Sequence, residues 1–192
     1  MSILQALIPR WTGAADPDAI PLDKAKRGDR SAFDILRRTH DKQLRGFVIR
    51  RGSAEHAEDI IQDIWIACWQ TLPRYAGKAR FKTWLYGIAA HKCTDYLRLK
   101  VQNDQRNLDQ ECEEPIQPDA YAAIELKQVV RDALAQVPEA QREVLELYYY
   151  AELNLAEIAQ ALDRNLNTVK YQFYRAHDQV ALLLKSEDSE KR

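Results

Sequence analysis

The sequence predicts an all-α protein: two small helical domains joined by an acidic flexible linker, the C-terminal one a helix-turn-helix. Three observations predict it. Apolar residues recur three and four apart over about residues 22–100 and again over about 123–186. Between these blocks the composition changes abruptly. Pro115 and Pro118 appear, and seven acids stand against Arg106 alone from Val101 to Glu125. In the second block, two short apolar patterns flank the turn Asp163-Arg164-Asn165. The predicted organisation is a leader at 1–21, a first domain at 22–100, a linker at 101–122, a second domain at 123–186 and a tail at 187–192.

Composition bounds the function. The 192 residues carry 28 bases and 29 acids, a net charge of −1, so the whole-chain balance implies no partner. Charge is instead segregated by segment. No apolar run approaches the ~18 residues of a membrane span. The start, MSILQALIPRW, lacks a basic n-region and a long apolar core, so no secretory signal is expected. Cys68, Cys93 and Cys112 are an odd set in a chain of cytoplasmic character and are read as reduced thiols. His91, Cys93 and Cys112 fit no zinc spacing and no fourth ligand is evident, so no metal or other cofactor is expected. There is no Gly-rich phosphate loop, GxSxG elbow or HExxH, and the four histidines are dispersed. The chain is not read as an enzyme.

In chain order, Leu22–Arg27 begins a helix, turned at Gly28-Asp29, with Ser31 or Asp29 capping the next. Phe33, Leu36, His40, Leu44, Phe47 and Val48 form its stripe to about Arg51. From Leu22 to Arg51, ten bases against four acids give +6. A third helix is expected from about Ala54 to Leu72, with Ser53 as N-cap and Glu55, Glu58 and Asp59 at its dipole-positive end. Its apolar stripe holds Ile61, Trp65, Cys68 and Leu72, with Trp65 and Trp69 read as core. Asp59, Gln62, Asp63 and Ile66 share an adjacent face, and Pro73 ends the helix.

A basic loop, Arg74 to Arg80, leads into FKTWLYGIAAHKCTDYLR. One stripe of that helix is Leu85, Ile88, Ala89, Cys93 and Tyr96; another is Trp84, Gly87, His91, Asp95 and Arg98. From Arg74 to Lys100 seven bases face one acid, Asp95, a local charge of +6. Bases interleaved with Tyr75, Phe81, Trp84 and Tyr86 suit a single-stranded nucleic acid, because cations neutralise phosphates while rings stack on exposed bases.

In the second block, Ile124, Val129, Leu134 and Val137 mark a helix ended by Val137-Pro138, and Glu139 starts the next. Asn154 and Glu157 form a capping-box pair for a short helix. The last helix opens at or just before Thr168, with Val169, Phe173, Ala176, Val180 and Leu184 inward. Its other face presents Thr168, Tyr171, Gln172 and Arg175. In a major groove, Gln reads adenine and Arg reads guanine, while Lys170 suits phosphate.

IIQDIWIACWQTL followed by RYAGKARFKTWLYGIAAHKCTDYLR resembles region 2 of bacterial extracytoplasmic-function sigma factors, and Gly28–Arg51 matches the start of that region. PEAQREVLELYYYAELNLAEIAQALDRNLNTVKYQFYRA resembles region 4 of the same family. Glu152 and Asn167 stand where that family often has Gly, Gln172 where Arg is frequent, and Tyr171 where a smaller residue is usual. The resemblance implies an alternative sigma factor that binds core RNA polymerase and directs initiation at a stress- or signal-specific set of promoters. Asp59, Gln62, Asp63 and Ile66 would dock on the clamp of the largest polymerase subunit, and region 4 on the flap of the second-largest. Arg74, Lys78, Arg80, Phe81, Lys82, Trp84, Tyr86 and His91 would engage and hold melted −10 DNA. Thr168, Lys170, Tyr171, Gln172 and Arg175 would read duplex −35 DNA. The linker would thread the polymerase channels, and an anti-sigma protein would hold the factor inactive. Two other readings remain open: a two-domain DNA-binding regulator, and a sigma-mimicking adaptor, neither acting with core polymerase.

Overall fold

The computed structural model describes residues 16–51, 54–104 and 133–190. Seven α-helices have described bounds: α1 (Ala19–Lys26), α2 (Arg30–Arg51), α3 (Ala57–Thr71), α4 (Phe81–Asp104), α5 (Glu139–Tyr149), α6 (Leu155–Ala161) and α7 (Leu166–Glu190). Among the described residues there is no strand. The acidic linker and most of the predicted helix before Pro138 lie outside the described residues.

Local chemistry sets the first two helices. Gly28 (φ +94°) occupies the left-handed position after α1. Its N–H donates to the Ala25 carbonyl and that of Asp29 to the Lys24 carbonyl, the paired bonds that close a helix end. Asp29 then opens α2, its carboxylate accepting from the Ser31 and Ala32 N–H groups at 2.9 and 3.1 Å. Those bonds, the Ser31 hydroxyl first, lower the Asp29 pKa. The chain turns within two residues because each does a different job. α1 begins at Ala19, three residues before the predicted start. Asp18 stands at its N-cap, but its carboxylate is bound to His40 Nε2 at 2.8 Å in a buried pair rather than to the helix.

The first core forms from α2, α3 and α4. Leu36, Leu44, Phe47 and Val48 meet Ile60, Ile61, Ile64, Trp65 and Cys68, and α4 adds Phe81, Leu85, Tyr86, Ala89 and Cys93. The predicted stripes are the buried ones. Trp65 is core and its indole N–H donates to Asp41 at 3.2 Å, while Trp69 packs edge-on to Phe33. The expected cap of α3, Ser53, lies outside the described residues; His56 holds the N-cap position and makes no side-chain cap bond. α3 ends in a 3-10 turn at Leu72–Arg74, with Pro73 in it.

In the second domain Asn154 and Glu157 form the predicted capping box. Asn154 Oδ1 accepts from the Ala156 and Glu157 N–H groups at 3.0 Å, and Glu157 reaches back to the Asn154 N–H. The helix-turn-helix turn places Asp163 at φ +50°, where the bonds Arg164 N–H to Ala159 and Asp163 N–H to Gln160 close α6. Asn165 then receives the Asn167 N–H at 2.8 Å and starts α7.

The two domains are not held apart. α6 packs on α4, and buried residues of both domains join in one cluster.

A left-handed non-Gly residue costs about 1–2 kcal/mol. Asp163→Gly is therefore expected to raise unfolding stability by about 1 kcal/mol, and Asn154→Ala to lower it by about 1 kcal/mol. Urea midpoints check both; equal midpoints for all three proteins contradict this account of the turn.

Candidate nucleic-acid interface

Asp59, Gln62, Asp63 and Ile66 are all exposed on one face of α3. Ile66, 46% exposed, sets an apolar centre among polar neighbours. Beside this face a groove of about 300 Å³ runs between α3 and α4, lined by His56, Asp59, Ile60, Asp63, Lys92 and Tyr96 among others. Lys92 reaches Asp63 at 3.6 Å across it, and the His56 and Tyr96 rings lie 5.4 Å apart.

The loop after α3 carries the basic residues. Arg74 and Lys78 are exposed; Arg80 and Lys82 are partly buried. Gly77 (φ +70°) bends the loop. Tyr75 ties it down: its carbonyl accepts from Lys26 Nζ at 2.8 Å, its hydroxyl donates to the Ala79 carbonyl, and its ring lies 4.9 Å from Trp84. Between this loop, α1 and α6 opens a cavity of about 540 Å³, with Asp16, Lys26, Tyr75, Lys78, Arg80 and Gln160 among its walls.

The aromatic residues divide differently from the expectation. Phe81 and Tyr86 are fully buried. Phe81 packs near the His40 and Trp84 rings, at 5.5 and 5.9 Å, and the Tyr86 ring meets Phe47 edge-on at 5.4 Å. Both belong to the stripe that fills the core, and neither offers a face for stacking in this conformation. Trp84 is only partly buried and His91 is exposed on the same helix.

On α7, Thr168, Lys170, Tyr171 and Arg175 are exposed, with Tyr171 at 62%. Gln172 is half-buried, and its Oε1 is buried without a hydrogen-bond partner among the described residues. Tyr174, 56% exposed, was not singled out in the sequence and extends this face. Phe173 anchors the helix inward, 4.6 Å from Tyr148.

Sequence reasoning missed one cluster. Arg51, counted only as one of ten bases, is buried with its side chain 2% exposed. Its Nη2 donates to Glu139 and Glu143, each at 2.8 Å, and its Nη1 to Glu146 at 2.9 Å. All three acids lie on α5 of the other domain. Burial works against the charge on Arg51, but Glu143, Glu146 and Glu139 outweigh it and its pKa is raised. Burial raises the pKa of Glu146, partly offset by Arg51. Arg164 meets Glu143 at 2.5 Å and Arg142 meets Glu139, so three guanidinium groups answer three carboxylates. The signal was present: Glu139, Glu143 and Glu146 recur at four and three, one face of an otherwise apolar helix.

Cys68 and Cys93 are buried free thiols, and burial pushes both up to about 12. Cys112 lies outside the described residues. Among the described residues no group of three His, Cys, Asp or Glu side chains could hold a metal, and no helix is long and apolar enough to cross a membrane. In a Cys112→Ser protein at pH 8, Cys68 and Cys93 should react with a disulfide reagent at least about a hundredfold more slowly than after unfolding in urea. Fast reaction of either thiol in the folded protein contradicts its burial.

With the sites in place, similarity to known proteins was assessed. Residues 36–101 match the family Sigma-70 region 2, and residues 127–179 match Sigma-70, region 4. The sigma factor RpoE of Cereibacter sphaeroides, an extracytoplasmic-function (ECF) factor, is 30% identical over 155 residues, covering 79% of this chain and 86% of the relative. The ECF sigma factor SigW of Bacillus subtilis is 27% identical over 172 residues, covering 82% and 91%. In fold the chain is similar to CnrH, solved with the cytosolic domain of CnrY, at a TM-score of 0.69 and 24% identity over 88% of this chain and 97% of that one. It is likewise similar to the sigma factor RpoE of Bartonella quintana, solved with the anti-sigma factor NepR, at 0.67 and 24% over 80% and 96%. Two matched regions in the order the helices dictate, and a 30% identical relative spanned along most of its length, establish that this chain belongs to the extracytoplasmic-function sigma factors of RNA polymerase.

Proposed function

We propose that this protein works in the cytoplasm as a dissociable specificity subunit of RNA polymerase, recruiting core enzyme to promoters that carry its own −35 and −10 elements. The observation that carries this reading is the placement on one small domain of an exposed acid-bearing face on α3 beside a base-rich loop. The first binds protein; the second suits a charged strand.

In this reading residues 22–100 form the core- and −10-binding domain. Asp59, Gln62, Asp63 and Ile66 dock on the clamp of the largest subunit. Arg74, Lys78, Arg80 and Lys82 neutralise phosphates of the melted strand, and Trp84 and His91 contact its bases. The cavity under the loop has room for a nucleobase turned out of the stack. Extruding a base costs a few kcal/mol of unstacking, which such a pocket returns in stacking and hydrogen bonds. Phe81 and Tyr86 support this surface from beneath. Residues 123–186 form the −35-binding domain, with α7 in the major groove: Gln172 and Arg175 toward base edges, Lys170 toward phosphate, Thr168 and Tyr171 at the groove wall. Residues 101–122 tether the two, so that binding one element raises the effective concentration at the other. The protein supplies recognition, and bond formation belongs to the polymerase core. The two related folds were each solved with a bound partner protein. An anti-sigma protein that binds this chain in the same manner fits that precedent.

Run-off transcription on a mixed promoter library with core polymerase should give new, defined start sites only when this protein is added. Asp63→Arg should reduce core binding by tenfold or more. Lys78→Ala should weaken DNA binding at every promoter and lower the salt slope by about 1. Arg175→Ala should reduce discrimination at one −35 base pair by about 1–3 kcal/mol. Absence of factor-dependent starts from folded, inhibitor-free protein contradicts the proposal.

A further inference from the structure

The domain contact falls on the helix that follows the loop assigned to DNA. Thr83, Gly87, Ala90 and Thr94 recur along α4 at four, three and four, one helical face. Thr83 and Ala90 are almost fully buried. α6 of the second domain packs on α4, and a Cβ built on Gly87 would lie 2.7 Å from the Ala161 carbonyl oxygen. Thr94 receives a hydrogen bond from Arg51 Nη2 at 3.4 Å, which joins this face to the glutamates of α5.

The contact reaches the cations expected on DNA. Lys82 Nζ lies 3.6 Å from Glu152, and Arg80 Nη1 lies 3.7 Å from Glu157. Gln160 of α6 stands in the wall of the cavity under the basic loop. Acids of the second domain therefore occupy positions where phosphates would sit.

The interface is also built to part. The Thr83 and Tyr86 hydroxyls and Arg51 Nε are buried without a hydrogen-bond partner among the described residues. Each would regain water on separation. A buried ion cluster such as that of Arg51 fixes orientation more than it adds net stability, because desolvation offsets much of the attraction.

Geometry requires the parting. Elements at −35 and −10 lie about 25 base pairs apart, roughly 85 Å at 3.4 Å per base pair. Two domains in contact through α4 and α6 form a body of about 16 Å radius of gyration for this chain length, too small to touch both elements.

We propose that this is a self-closed state, in which the second domain masks the DNA-binding surface of the first until polymerase draws them apart. The mask rests on the sigma reading; the closure does not. Arg51 with Glu139, Glu143 and Glu146 is the latch, and Gly87 is the seat that lets α6 come down onto α4. The free protein then discriminates against naked DNA without any inhibitor, and an inhibitor that grips this state needs only to add to a closure already present.

The test begins with a zero-length carbodiimide cross-link, which joins an amine to a touching carboxylate. Wild-type protein, alone and monomeric, should yield Lys82–Glu152 in mass spectrometry. Gly87→Leu should lose it, because that side chain meets only Ala161 and leaves the first domain intact; Arg51→Ala should lose it by stranding the three glutamates. Both variants should bind a fluorescent mixed-sequence single-stranded 20-mer about tenfold more tightly than wild type, with helical circular dichroism unchanged for Gly87→Leu. No cross-link in wild type, or its retention in folded Gly87→Leu, overturns the closure. Loss of the cross-link with no gain in DNA affinity overturns the mask. Both readouts are taken without polymerase, so they are independent of the run-off result.

Discussion

Arg51 is the constraint on which the arrangement depends. A guanidinium at the end of α2 has been taken out of water, and it is tolerated there because three carboxylates from another domain meet it. Remove the second domain and Arg51 returns to solvent at the end of an ordinary basic helix. Remove Arg51 and Glu143 and Glu146 are left buried with one fewer cation between them. Each domain thus carries groups whose environment is completed by the other. Everything that distinguishes this conformation follows from that exchange, from the seating of α6 at Gly87 to the capture of Lys82 and Arg80 by acids of the second domain.

Much of the fold was legible in the sequence because local physics determined it. The Asn154–Glu157 box, the Gly28-Asp29 turn and the stripes of α2, α3 and α4 all depend on residues within a few positions of one another. Position 152 is instructive. Glu152, noted as standing where the family often has Gly, has φ +54°, so the backbone keeps the left-handed turn and the side chain reaches Lys82. What was not legible is non-local. Nothing in Arg51 itself separates a solvated base from a buried one, since the difference lies in acids 88–95 positions away. Tyr86 and Phe81 were assigned to a stacking surface because they alternate with bases, yet helical phase turns both into the core. Periodicity assigns a face; it does not say which of two occupants covers it.

The site has two characters. The α3 face and the α7 face stand open, as recognition surfaces should, and their residues lie where the sequence pattern put them. The −10 surface is different. Its loop cations Arg74 and Lys78 are free to solvent, while Arg80 and Lys82 already face carboxylates. A strand that replaced Glu152 and Glu157 with phosphates would exchange one set of anions for another. The charge pattern of the first domain is therefore suited to two ligands in turn, its own second domain and DNA. A modest latch matches this role, because polymerase must supply the free energy of opening from the contacts it makes.

Spin labels at Asp95 on α4 and Asp178 on α7, both exposed, would measure the separation of the domains in each state. The account predicts a single short distance, below about 45 Å, in the free protein and a distance longer by tens of ångströms once core polymerase and promoter DNA are added. An unchanged distance in an initiation complex that makes transcript would contradict it.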